Sequence, residues 1–374
     1  MRFHHKTLEK LSHIEGVLLK RHVKTPFKRH LVQPEGKDWA INTLVINGPS
    51  DSDSVIDVTR KTVVLTHGYG SGLGFFYTNY DQLASLVDPE TKKPVQIIAI
   101  DWLGMGGSSR PLFNKRSSCS NATDNSELIA EAESYFVDSF EEWRKTLGIE
   151  KFALAGHSLG GYLSSVYAIR HPQRLTSLTL LSPFGLPCHP PDSVAVTSDI
   201  AKQLPFAQRL FLSAWTNNVT PQWILRGLGP YGPKMASRVV TRRFPAMDEN
   251  DQRLISDYVY NLSTVRPAAG EYALNALMEV RMVPGTGKEF KWSLYARHPV
   301  GLRLYEALPA HIPVSIVFGD NDWMFSNRRD MLKLELIHSR PQSKLHVLSN
   351  AGHHLYLDNP DEMFSVFTNS KLWG

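Results

Sequence analysis

Short runs of apolar and β-branched residues recur along the 374-residue chain, at Trp39–Ile46, Thr62–Thr66, Val95–Ile100, Phe152–Ala155, Leu175–Leu181, Pro313–Gly319 and Leu345–Leu348. Their length and composition predict strands. Apolar positions at three- and four-residue spacing over 125–147, over 159–171 and from Pro360 onward predict helices between them. Strands that alternate with helices, across connections longer than a hairpin, build a mostly parallel central sheet with helices on both faces.

The alternation lapses between Pro183 and about Pro299, where Pro-rich turns (184–191) and helical stretches such as 200–215 and 235–244 occur without a strong β-run. This predicts an inserted helical lid over 184–300, dividing an α/β core into parts 1–183 and 301–374. The lid would cover the carboxyl ends of the strands, where open α/β sheets carry their sites. Near the N-terminus, Leu8, Leu11, Ile14, Val17 and Leu18 form one face of an amphipathic helix within a basic segment, 1–31. Such a helix can lie on a membrane or dock on its own domain, and Glu9 and Glu15 count against the membrane.

Composition narrows the classes. With 42% hydrophobic residues the chain suits a soluble globular protein, and no apolar run is long enough to span a bilayer. No apolar h-region follows Met1-Arg2-Phe3-His4-His5-Lys6, so the sequons at Asn121, Asn218 and Asn261 are expected to stay unmodified. Two cysteines, Cys119 and Cys188, support neither a disulfide framework nor a zinc site, and fit a reducing compartment. The expected location is the cytoplasmic face of a membrane or a lipid droplet, or alternatively the mitochondrion. A net charge of +5 permits attraction to anionic surfaces, but no motif points to nucleic acid, and no metal ligand set is evident. Glycine clusters at 67–74 and 101–111 both follow strands. Neither has the G-x-G-x-x-G or G-K-[ST] spacing of a nucleotide loop.

The chemistry centres on Gly156-His157-Ser158-Leu159-Gly160, a sharp turn from strand to helix that holds Ser158 exposed at a helix N-terminus. Gly156 and Gly160 stand where strand and helix approach most closely. A serine nucleophile needs a base, and the base needs an orienting acid. Asp322, in Gly319-Asp320-Asn321-Asp322-Trp323, is the expected acid, with Asp320 its rival. His353, in Gly352-His353-His354, is the expected base, with His354 the alternate; the order Ser, Asp, His is that of an α/β-hydrolase. The N–H groups of Tyr69 and Leu159 are the expected oxyanion donors, with Gly68 and Gly70 letting the first loop approach. Asp358 forms H-x-x-x-x-D with His353, a spacing sometimes associated with acyl transfer; its position before Asn359-Pro360 reads more strongly as a helix cap. Arg226, Arg238, Arg242 and Arg243 in the lid could hold a lipid phosphate or form a solvated helix face.

The motifs His-Gly-Tyr-Gly-x-Gly-Leu-Gly-Phe-Phe (67–76), Asp-Trp-Leu-Gly-Met-Gly-Gly-Ser-Ser-Arg-Pro (101–111), Phe-x-x-Ser-x-Glu-x-Trp-Arg (136–144) and Gly-His-Ser-Leu-Gly-Gly (156–161) resemble the lipid-handling branch of the α/β-hydrolases. That branch includes fungal cardiolipin deacylases, lysophosphatidic acid acyltransferase-like proteins of plants and yeast, and the animal coactivator of adipose triglyceride lipase. The coactivator carries Asn where this chain has Ser158, so the resemblance implies an active enzyme. Several animal members place an Asp where this chain has Phe325, which moves the acid to Asp322. The resemblance implies a serine hydrolase of phospholipid or lysophospholipid acyl esters, acting without a cofactor. The alternatives are an acyltransferase with acyl-CoA as co-substrate and a membrane or lipid-droplet scaffold.

Overall fold

The computed structural model describes residues 2–49, 54–113, 126–186, 193–195, 202, 206–216, 219–245, 247–284, 290–325, 340 and 342–369. The Ser/Asn-rich segment 114–124, both cysteines, and the sequons at Asn121 and Asn218 lie outside them.

Eleven strands are described: β1 (Phe27–Val32), β2 (Ile41–Ile46), β3 (Thr62–Thr66), β4 (Gln96–Ile100), β5 (Phe152–His157), β6 (Leu175–Leu181), β7 (Val194–Ala195), β8 (Met278–Pro284), β9 (Phe290–Ala296), β10 (Val314–Gly319) and β11 (Lys344–Leu348). Eight form one sheet in the order β1-β2-β4-β3-β5-β6-β10-β11. Only β2 runs against the others. Strands β2 to β6 and β10 are buried in nearly every position because helices cover both faces, and this is why they read as mainly apolar runs and not as an alternation of apolar and polar residues. Strand β1 (Phe-Lys-Arg-His-Leu-Val) was not among the expected strands. It lies at the sheet edge, where two of its six positions are exposed and only Val32 is buried, and the apolar signal is diluted.

The described helices are α1 (Arg2–His22), α2 (Tyr80–Ala84), α3 (Ser126–Leu147), α4 (Leu159–Arg170), α5 (Phe206–Thr216), α6 (Pro221–Gly227), α7 (Gly232–Arg243), α8 (Glu249–Thr264), α9 (Gly270–Leu277), α10 (Gly301–Ala307), α11 (Leu355–Asp358) and α12 (Pro360–Asn369). The 136–144 motif locks α3 to its neighbours. Trp143 Nε1 donates to Thr43 Oγ1 at 2.9 Å, and Glu141 accepts both Arg144 and the Tyr167 hydroxyl of α4.

The insertion between β6 and β10 is not wholly helical. A three-stranded antiparallel sheet, β7-β8-β9, stands beside α5 to α9. Charged residues interrupt β8 (Met-Glu-Val-Arg-Met-Val-Pro) and β9, so neither shows the apolar run of a core strand.

The N-terminal helix turns its apolar stripe into the protein: Leu11, Leu18 and Leu19 are fully buried, and the helix packs on α8. Arg21 pairs with Asp251 at 2.6 Å, and His22 lies 3.2 Å from the same carboxylate. The face that could have entered a bilayer is thus occupied by the chain's own core. Asn261 is buried in α8 and donates to the Asp257 carbonyl, so that sequon is closed to modification.

Candidate active site

The turn between β5 and α4 fixes Ser158 in a conformation that few side chains adopt, with φ 53° and ψ −114°. Its peptide groups are held from both sides. Ser158 N–H donates to Leu181 O at 2.9 Å, and its carbonyl accepts Phe184 N–H and Tyr162 N–H. Side chains at the neighbouring glycines could not be accommodated: a Cβ on Gly160 would sit 2.6 Å from the Thr66 and His67 carbonyls, and one on Gly156 would strike the Gly160 backbone. These contacts hold the strained turn in place.

Two loops bring the remaining groups to Ser158. His353 Nε2 lies 3.0 Å from Ser158 Oγ, and His353 Nδ1 lies 3.2 Å from Asp322 Oδ1. Burial by itself would raise the Asp322 carboxyl. The hydrogen bond and positive charge of His353 and the Met324 N–H outweigh burial and hold it below the usual carboxylate range. Asp320 does different work: it faces solvent and accepts Asn350 N–H and Ala351 N–H, each at 3.0 Å, lacing the acid loop to the histidine loop. Gly319 lets these loops meet, because a Cβ there would overlap the Ala351 carbonyl. Phe325 stacks on Phe318 with ring centroids 4.9 Å apart. The Trp323 ring stands 5.2 Å from that of His353.

His354 packs away from the serine, against His157 and Phe75, and burial drives its imidazole down to about 3. His157 was not among the expected site residues, yet its Nε2–H donates to the His353 carbonyl at 2.8 Å. Burial lowers its pKa far below the ordinary value, so it is a neutral strut. The only signal in the sequence was its place inside the serine turn.

The oxyanion side is built from backbone. Leu159 is the first residue of α4, where N–H groups have no partner within the helix. The Gly68-Tyr69 backbone runs alongside the serine, since a Cβ on Gly68 would lie 3.0 Å from Ser158 Cβ. Gly70, with φ +69°, turns the chain away just after. His67 anchors this loop: Nδ1–H donates to Gly68 O at 2.8 Å and Nε2 accepts Trp102 N–H, an arrangement that fits the neutral ring which burial favours by lowering its pKa to about 4. Asp101 braces the loop by accepting Leu73 N–H and Gly107 N–H, each at 2.7 Å. The two glycine clusters therefore fold against each other.

The four lid arginines do not form one cluster. Arg226 turns inward onto Glu271 of α9, whose carboxylate also accepts the Thr220 hydroxyl. Arg243 Nη2 donates to Asp358 Oδ2 at 2.7 Å. Arg238 and Arg242 alone remain open, on the outer side of the lid. Asp358 caps no helix. It also accepts Gly352 N–H at 2.9 Å, whereas the cap of α12 is Asn359, whose Oδ1 accepts Glu362 N–H. Tyr69 donates its hydroxyl to Gln222 of α6, so the lid is tied to the oxyanion loop as well. Among the described residues, no three His, Cys, Asp or Glu side chains converge in a way that could hold a metal ion.

Comparison with known proteins gives the family. The family model for the alpha/beta hydrolase fold matches residues 61–360. An Arabidopsis thaliana 1-acylglycerol-3-phosphate O-acyltransferase is 34% identical over 80% of this chain, which spans 63% of that relative's length. A human (lyso)-N-acylphosphatidylethanolamine lipase is 29% identical over 95% of this chain and 89% of its own. In fold, the carboxylesterase CesB from Bacillus subtilis covers 99% of both chains with a TM-score of 0.55 at 16% identity. The chain belongs to the α/β-hydrolase family, in the lipid-directed group whose relatives are named as lipases and acyltransferases.

Proposed function

We propose that the protein is a serine hydrolase that cleaves acyl esters of phospholipids or lysophospholipids through an acyl-Ser158 intermediate. One observation carries the reading: the 3.0 Å and 3.2 Å contacts that join Ser158, His353 and Asp322 in a single relay. His353 Nε2 takes the proton as Ser158 Oγ attacks the ester carbonyl, and Asp322 stabilises the imidazolium that forms. The developing oxyanion is met by Leu159 N–H and Tyr69 N–H; losing one such donor costs about 3 kcal/mol of barrier. His353 then protonates the departing alcohol oxygen. In the second half, water gives a proton to His353 as it attacks the acyl carbon; the bond from that carbon to Ser158 Oγ then breaks, His353 returns the proton to Oγ, and the fatty acid leaves. No cofactor enters these steps.

Transfer of the acyl group to lysophosphatidic acid from acyl-CoA is the second reading, favoured by the name of the plant relative. It shares the acyl-serine and differs in the acceptor. The test offers purified protein phosphatidylcholine, cardiolipin, and lysophosphatidic acid with acyl-CoA. Free fatty acid that disappears in Ser158→Ala supports hydrolysis; a CoA-dependent phosphatidic acid product supports transfer. Turnover of no acyl ester would overturn both and leave a scaffold that binds a lipase or a lipid surface.

A further inference from the structure

The lid segment from Gln222 to Arg243 is an arch fastened at both ends to the site. Gln222 accepts the Tyr69 hydroxyl at one end, and Arg243 holds Asp358 beside Gly352 and His353 at the other. We propose that the outer face of this arch docks on an anionic lipid bilayer.

Helix α7 carries three distinct rows at four-residue spacing. Gly232, Ala236 and Val240 are buried, and the helix packs on α8. Met235 and Val239 are 47% and 56% exposed. Lys234, Arg238 and Arg242 line an open groove of about 770 Å³, together with Arg253 of α8. In the preceding turn and helix of the same arch, Tyr231, Trp223 and Ile224 are also 68%, 52% and 44% exposed. Five large apolar side chains facing water within so short a segment exceed ordinary surface scatter.

Charge selects the occupant. None of Lys234, Arg238 and Arg242 has an ion-pair partner among the described residues, and Asp257 is the one carboxylate lining the groove. The nearby Asp248 and Asp251 at the start of α8 are engaged by Arg21 and His22. Aromatic and aliphatic side chains beside a row of cations match the boundary of a bilayer with anionic head groups. The N-terminal helix offers less, because Leu11, Ile14 and Leu18 of its stripe are buried and Val17 is the one position of the five that is exposed. Only the choice of a bilayer over a protein partner rests on the lipid-ester reading.

The test is co-sedimentation of the full chain with phosphatidylcholine vesicles, with and without phosphatidylglycerol. Binding to the anionic vesicles, weakened by salt, is expected. The double changes Lys234→Glu with Arg238→Glu, and Met235→Ser with Val239→Ser, should each lower affinity at least about tenfold, with unchanged melting temperature and unchanged hydrolysis of a water-soluble short-chain ester. Equal binding by wild type and both variants would overturn the proposal, as would an apolar variant whose only change is loss of self-association, which would assign the face to a second copy. Ser158→Ala should bind vesicles like wild type. Vesicle binding without turnover of any acyl ester would sink the hydrolase reading and leave the docking face standing.

Discussion

Arg243 and Asp358, 115 positions apart in sequence, meet at 2.7 Å, and the same Asp358 oxygen accepts the Gly352 N–H one residue before His353. The lid helix α7 is thereby bound to the loop that carries the base. This relationship gives Asp358 a bracing role in place of the helix cap that its position before Pro360 suggests.

Replacing Asp358 with Asn should lower hydrolysis and acyl transfer in parallel, by about tenfold, through a loosened His353 loop. Arg243→Gln should do the same, and the double variant should be little worse than either single one, because the changes remove one contact. The pair is partly exposed, so its share of stability is below about 1 kcal/mol. Loss of transfer alone in Asp358→Asn, with hydrolysis intact, would return Asp358 to the chemistry.

The two acids of the 319–323 loop separate by kinetics. Ser158→Ala should reduce kcat by roughly 10⁴- to 10⁶-fold, and Asp322→Asn by about 10⁴-fold. Asp320→Asn keeps an acceptor for only one of the Asn350 and Ala351 N–H groups, which two different carboxylate oxygens accept, and should still cost no more than about tenfold because Asp320 does not touch His353. A larger loss in Asp320→Asn than in Asp322→Asn would reverse the assignment of the acid.

His157 acts through the His353 carbonyl, so it is a positioning residue. His157→Ala should lower kcat by about 10- to 100-fold while leaving the pH dependence of kcat/KM in place. His157→Gln, whose amide can donate to the same carbonyl, should recover part of that loss. A pH profile displaced in His157→Ala would instead show that its ring titrates with the reaction.

Glu15 should make stability depend on pH. It is buried between α1, β2 and α8, where Asn42, Tyr258 and Arg29 bond it. Burial and then the charge of Asp101 raise its carboxyl from 4.5 to about 7. The folded chain therefore keeps a proton that the unfolded chain releases. The stability this contributes is complete below pH 4.5 and is lost as pH rises through about 7. Melting temperatures measured across that window should fall with rising pH in the wild type and vary less in Glu15→Gln. Parallel curves would show that Glu15 does not hold the proton.

The strand runs, the alternation with helices and the serine turn are written in local pattern. Each depends on near neighbours: apolar spacing for burial, and Gly156 and Gly160 where a backbone must pass close. The chain order of Ser158, Asp322 and His353 follows from loops that leave successive strands on one side of a parallel sheet. Local pattern favoured Asp322 over Asp320 and His353 over His354, but the members of each pair stand within two residues of each other and are alike in chemistry. Tertiary packing decided both, because the approach of Gly319 to Ala351 fixes which carboxylate meets the imidazole and which meets backbone. It also drew Arg226 inward to Glu271, set Arg243 on Asp358 and left Arg238 open, distinctions that no spacing along a helix contains. A side chain's partner is chosen by what the fold brings within a few ångströms, and for these residues that partner lies on another element.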